Sequence, residues 1–135
     1  MFTWPVRVYY EDTDLGGVVY YANYLRFLER ARTEWLRHLD VDQGALLAER
    51  GLIFVIVAAE LEYRQPARFN DLLCVTAELE SRRPTAMQFA QRIHRGSPDG
   101  ELLVTGRVRA ACVHCDTFRP RRIPEEIIAA MERDQ

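Results

Sequence analysis

From Glu11 to Tyr24 the chain reads Glu-Asp-Thr-Asp-Leu-Gly-Gly-Val-Val-Tyr-Tyr-Ala-Asn-Tyr, and here its residue types could do chemistry. Carboxylates stand beside two adjacent glycines, which let a backbone approach a ligand closely. A run with helical periodicity follows directly. A helix N-terminus offers free amides and partial positive charge, which suits an oxyanion. A carboxylate close by can attack a carbonyl or activate a water. Together these are the parts of an acyl-transfer site. On composition alone the blander reading, a cap and a turn, is favoured. Calcium ranks low, because the glycine and ligand spacing of an EF-hand loop is missing.

Other chemistries find less support. The only serines are Ser81 and Ser97, and neither lies in a nucleophile elbow. His38, His94 and His114 have no serine or cysteine arranged around them as a local signature, which argues against Ser-His-Asp or Cys-His catalysis. Gly16-Gly17 lacks the length and the lysine of a phosphate loop. Cys112-Val-His-Cys115 has the spacing of a redox or zinc half-site. With no second pair, its cysteines read as small apolar residues of a strand.

Several elements must position the acidic loop. Val6, Val8 and Tyr10 alternate with Arg7, Tyr9 and Glu11, the period of a half-buried strand whose first residue Pro5 would suit. From Asn23 the period changes. Tyr24, Leu25, Phe27, Leu28, Ala31, Trp35, Leu36 and Leu39 share one helical stripe, predicting a long helix over 23–39 with Asn23 as N-cap. A short helix over 43–50 is expected to end at Gly51. Strands follow near 52–64, 73–80, 87–94 and 101–116, and Pro124 opens a short C-terminal helix. This order argues for one α+β domain over 1–135, an antiparallel sheet of about five strands with a helix on one face. One curved sheet covers only part of so long a helix, so a symmetric oligomer is expected.

The 135 residues carry a net charge of −2, giving no reason to expect nucleic acid. All 18 basic residues are arginine, the better phosphate fork. No signal peptide or membrane-spanning run is read from the sequence, and a cytoplasmic location is expected.

The run Tyr9-Tyr10-Glu11-Asp12-Thr13-Asp14, then Gly17-Val18-Val19-Tyr20, Asn23-Tyr24 and Glu29-Arg30-Ala31-Arg32, resembles the signature of the acyl-CoA thioesterases associated with the Tol-Pal system. These belong to the 4-hydroxybenzoyl-CoA thioesterase class of hotdog proteins. The likeness continues through Tyr63-Arg64-Gln65-Pro66-Ala67-Arg68 and Gln91-Arg92-Ile93 to Pro120-Arg121, so it spans almost the whole chain. It implies a hotdog fold, a long helix wrapped by a curved antiparallel sheet, paired into dimers and usually tetramers with active sites at subunit interfaces. It also implies hydrolysis of an acyl-CoA thioester to free acid and CoA, with no metal or redox cofactor. Asp14 then corresponds to the catalytic aspartate, as nucleophile or general base, and backbone amides near Tyr21 would polarise the thioester carbonyl. Gly17 and Val18 would line the substrate. Arg82-Arg83 matches an arginine pair that lies near the nucleotide phosphates of CoA in the 4-hydroxybenzoyl-CoA subgroup, with Arg119, Arg121 and Arg122 as a further basic cluster. Glu29 is expected to pair with Arg26 or to support the interface, and Pro66 to mark a bulge or strand end.

One position departs from the pattern. Tol-Pal-associated members commonly carry histidine where this chain has Tyr21, whereas the 4-hydroxybenzoyl-CoA subgroup has tyrosine. An aryl-CoA substrate is therefore a second reading. A non-catalytic module binding acyl-CoA or acyl-carrier protein, or a Tol-Pal-linked partner role, is a third.

Overall fold

The computed structural model describes residues 1–135. Strands β1 (Phe2–Arg7), β2 (Leu52–Tyr63), β3 (Leu72–Arg83), β4 (Ala86–Arg95) and β5 (Leu102–His114) form one antiparallel sheet in the order β1-β3-β4-β5-β2. The helices are α1 (Tyr24–His38), α2 (Gln43–Arg50) and α3 (Glu125–Asp134). This is the expected hotdog architecture, a long helix against a five-stranded sheet.

The helical stripe explains the packing. Tyr24, Phe27, Leu28, Ala31, Trp35 and Leu36 are buried against Leu73, Val75 and Ala77 of β3 and Met87, Phe89 and Ile93 of β4. Burying a side chain such as Phe27 or Leu28, both fully inaccessible, contributes roughly 2–3 kcal/mol each. Trp35 packs edge-to-face on Phe89 with ring centroids 6.2 Å apart and donates its indole N–H to Asp134 of α3 at 2.7 Å. Gln91 stands on the apolar face of β4, where its amide donates to the carbonyls of Leu28 and Thr76 and accepts from Arg32. Burial pushes the Arg32 guanidinium below its ordinary value, with Glu29 opposing.

Helix α1 packs chiefly over β1, β3 and β4, so the inner face of β2 projects beyond it. Strand β2 is an edge of the sheet, and Ile56 and Val57 on it are 51% and 52% exposed around a bulge. Leu25, expected on the buried stripe, is exposed as well. Gly51 closes α2 in the left-handed conformation at φ 64°, as its sequence position predicts. No helix is long and apolar enough to cross a membrane.

Several local expectations need correction. The first strand was expected to run to Glu11 but ends at Arg7, and Tyr10–Asp12 forms a 3₁₀ turn instead. The Asp12 carboxylate accepts the Tyr9 amide at 2.8 Å, turning the chain out of the sheet. Pro5 lies inside β1 rather than at its start, which an edge strand tolerates because a proline nitrogen can face solvent. Asn23 does not cap α1. Its backbone is already helical, and its amide donates to Asp12 at 2.6 Å. Glu29 pairs not with Arg26 but with the Thr33 hydroxyl one helical turn on. Cys112 is a buried strand residue, and burial pushes its thiol up; Cys115, expected in the strand, lies in the turn after β5.

Candidate active site

The acidic loop is a small hairpin closed onto the N-terminal end of α1. Thr13 pairs antiparallel with Val19, and the Asp14 amide donates to the Val18 carbonyl at 2.9 Å. The Gly17 amide returns to the Asp14 carbonyl at 3.0 Å, closing a tight turn. Gly17 takes φ +76°, a conformation that side chains rarely adopt, so the sequence needs glycine there. Val18 bridges to Arg68, and Val19 donates to the Ala67 carbonyl at 2.9 Å, which docks the loop on the segment entering β3.

The three acids of the loop have separate fates. Glu11 is exposed, whereas Asp12 is buried at 5% exposure between Tyr9 and Asn23. Asp14 is exposed at the turn, where its Oδ1 accepts the Gly16 amide at 2.9 Å. That bond fixes one oxygen of the carboxylate and leaves Oδ2 open. The negative charge of Asp14 is felt by the phenol of Tyr24, the first residue of α1. Burial pushes that phenol up; Tyr63 and Asp14 add to the effect, while the Ala67 amide and Arg95 oppose it.

Beyond the turn, Tyr20 donates its amide to the Asp12 carbonyl at 2.9 Å, and a 3₁₀ turn over Tyr21–Asn23 leads into α1. The Asn23 amide donates to the Tyr20 carbonyl at 2.8 Å. The amides of Tyr21 and Ala22, between these two, belong to the opening turn of the helical segment, where no preceding carbonyl receives them. A carboxylate with a free oxygen thus shares one corner of the molecule with two free amides and the positive end of a helix. Such a corner can stabilise an oxyanion and deliver a nucleophile or base beside it.

Aromatic rings wall this corner. Tyr21 is exposed, with its ring 5.0 Å from Tyr20 and 6.5 Å edge-on from Tyr63. Tyr24 accepts the Ala67 amide on its hydroxyl at 3.0 Å. Tyr63, at the end of β2, donates its hydroxyl to the Tyr21 carbonyl at 3.0 Å. From the sequence, Tyr63 and Asp12 had no part of their own, and Asn23 stood only as the expected N-cap of α1. Tyr63 was only the opening of the Tyr63–Arg68 motif.

Asp14, Gly17 and Val18 share the hairpin, which leads through Tyr20 to Tyr21 in the turn before α1. The structure does not bring Arg82 and Arg83 to them. Strand β3 begins near the loop and ends at Arg83, about 36 Å of extended chain away. Arg82 is also occupied, its Nε 2.9 Å from Glu132. Arg83 is exposed and free of ion pairs, and so are Arg121 and Arg122. These lie near one another, because Ile123 donates to the Pro84 carbonyl at 2.9 Å and Cys112 to the Thr85 carbonyl at 2.8 Å.

A separate cavity of about 290 Å³ lies between α1 and the sheet. Its floor is apolar, formed by Leu36, Phe54, Ile56, Met87, Phe89 and Ala110. Glu29, Arg32 and Thr33 stand on its helix side. Elsewhere His114, Cys115 and Asp116 gather potential ligand atoms within 4.8 Å of one another, but the Nδ1 of His114 already accepts the Asp116 amide.

Comparison with known proteins agrees with the fold. The sequence model of the thioesterase-like superfamily matches residues 8–131. The chain is 47% identical over 133 residues to the acyl-CoA thioester hydrolase YbgC of Escherichia coli, covering 98% of this chain and 97% of the relative. It is 44% identical over 129 residues to the acyl-CoA thioesterase YbgC of Haemophilus influenzae, covering 96% and 93%. A solved probable thioesterase from Bartonella henselae superposes with a TM-score of 0.84 at 34% identity, over 90% of this chain and 98% of that one. A hotdog sheet, an acidic loop docked on a helix start, and relatives this similar over nearly their whole length lead to one conclusion: the chain belongs to the thioesterase-like superfamily.

Proposed function

We propose that the protein hydrolyses acyl-CoA thioesters to free acid and CoA, with Asp14 as the catalytic carboxylate. The observation that carries this reading is the open Oδ2 of Asp14 at the helix start where the Tyr21 and Ala22 amides are free. In the reaction those amides receive the negative charge that grows on the carbonyl oxygen. Asp14 either takes a proton from the attacking water or attacks the carbonyl itself and forms an anhydride that water then opens. In both routes the C–S bond breaks and CoA leaves as the thiolate. Tyr21 serves through its backbone N–H, so the loss of a histidine imidazole at this position is tolerated. Gly17 and Val18 shape the wall beside Asp14.

The active unit in this reading is a symmetric dimer, and pairs of dimers would give the tetramer that the family resemblance implies. An edge strand with exposed Ile56 and Val57 is an open template for a second copy. Antiparallel pairing along β2 would place the Tyr63 end of one strand beside the Leu52 end of the other. The Asp14 corner of each copy would then open onto the apolar cavity of its neighbour, floored by Phe54 and Ile56. That cavity suits an acyl chain or an aromatic ring.

Release of free thiol from short, long and aromatic acyl-CoAs, and from thioesters carried on acyl-carrier protein, tests the reading directly. Turnover of at least one CoA ester by a dimer or tetramer in sedimentation is the expected result. Binding of CoA esters with no turnover of any of them would leave only a binding module.

For CoA recognition, Arg83 of a neighbouring copy, with Arg121 and Arg122, is the better phosphate ligand. Arg82 is discounted by its pairing with Glu132. Arg83→Glu is expected to raise KM for a CoA ester about tenfold and leave kcat in place, the effect of losing one charge-assisted phosphate contact. A truncated pantetheine thioester, which lacks the nucleotide, provides the check. Its KM is expected to be the same for both proteins.

A further inference from the structure

We propose that Tyr63 is a positioning residue for this hydrolysis, holding the peptide between Tyr21 and Ala22 so that the Ala22 amide is aimed at the substrate carbonyl. The inference rests on the acyl-CoA hydrolysis proposed above and assigns one residue a part in it.

A peptide unit is planar and trans, so its C=O and N–H point in opposite directions. The Tyr63 hydroxyl donates to the Tyr21 carbonyl at 3.0 Å. Anchoring that oxygen on one side fixes the direction of the Ala22 N–H on the other. The anchor itself is rigid. Tyr63 is the last residue of β2 and pairs with Val104 of β5, and the next amide, that of Arg64, donates to the Leu103 carbonyl at 2.8 Å. Its ring lies 5.6 Å from that of Tyr24, whose hydroxyl is occupied by the Ala67 amide. The sheet therefore reaches across to the opening turn of the helix through one phenol.

Such an anchor matters at this place. The peptide it holds lies in a 3₁₀ turn ahead of α1, and the ends of helices are where backbone geometry is loosest. An oxyanion site works only when its donors are already aimed before charge develops. A hydrogen bond accepted by the Tyr21 carbonyl also polarises that peptide and strengthens its N–H as a donor. Tyr63 is 49% exposed, so its hydroxyl could be satisfied by water without this contact. Burial of the hydroxyl does not force the bond.

The test is Tyr63→Phe, which removes the hydroxyl and keeps the ring. The expected result is a fall in kcat of about fivefold to tenfold with KM near its original value. A second readout follows the carbonyl stretch of a ¹³C-labelled thioester bound to the Asp14→Asn protein. Donation from the amides lowers that frequency, and adding Tyr63→Phe is expected to return it part of the way to its value in water. Should Tyr63→Phe fail to fold, 3-fluorotyrosine at position 63 keeps ring and hydroxyl and makes a stronger donor, and the stretch is expected to fall further. A loss confined to KM or to thermal stability, with the stretch unmoved, would overturn the positioning role while hydrolysis stood. Absence of turnover by the unaltered protein on every thioester would instead remove the parent reading.

Discussion

Asp14→Asn is expected to lower kcat by about a thousandfold, within the range that a positioned base or nucleophile supplies. The substitution isolates chemistry from architecture. Asparagine retains the Oδ1 that accepts the Gly16 amide, so the turn closed by Gly17 keeps its shape. What is lost is the charge and basicity of the open oxygen. Because Asp14 is exposed and its carboxylate accepts only that one amide, the melting temperature is expected to stay within about 2 °C, as for most surface substitutions. KM is expected to change little, since the free amides and the apolar cavity still receive the substrate. Rates measured by thiol release for the two proteins, with melting curves for both, decide the matter. Equal rates would leave hydrolysis standing and remove Asp14 from its role.

The elements that position this carboxylate were largely legible in the sequence. The stripe from Tyr24 to Leu36 announced α1, and alternation from Leu52 to His114 announced four strands, because each pattern repeats over many residues. The loop was less legible. Glu11, Asp12 and Asp14 look alike in a linear reading, and only the family resemblance singled out Asp14. The burial of Asp12 depends on Asn23, 11 residues away in the chain, and the docking of the hairpin on Ala67, farther still. Asn23 misled for the same reason. A polar residue before a helix usually caps it, but here a buried carboxylate competes for the side chain. Tyr63 and Tyr21 are separated by 42 residues, and no local period connects them. Arg82 and Arg83 are adjacent in sequence, yet only Arg82 meets Glu132 of α3. What escaped sequence reading is therefore long-range polar pairing, which leaves no periodicity behind.

Asp12→Ala is expected to have the opposite profile to Asp14→Asn, a large loss of stability from which loss of activity follows. Asp12 is 5% exposed, and its carboxylate joins the two halves of the loop: Oδ2 takes the Tyr9 amide at 2.8 Å and Oδ1 takes the Asn23 side chain at 2.6 Å. Alanine leaves the buried Asn23 amide and the partly buried Tyr9 N–H without this partner. Unpaired buried donors cost about 1–3 kcal/mol each, so a total near 3 kcal/mol is expected after partial relaxation. For a domain of this size that is about 10 °C in Tm. A double-mutant cycle with Asn23→Ala separates the pair from its surroundings. If Asn23 is there chiefly to satisfy Asp12, the double variant is expected to be less destabilised than the sum of the single ones by about 1 kcal/mol or more. Tyr20, whose amide donates to the Asp12 carbonyl, ties the same residue to the 3₁₀ turn over Tyr21–Asn23. Disorder at Asp12 therefore reaches Asp14 on one side and the Tyr21 amide on the other. A melting temperature unmoved by Asp12→Ala would refute this division of labour, in which the buried acid builds the loop and the exposed acid uses it.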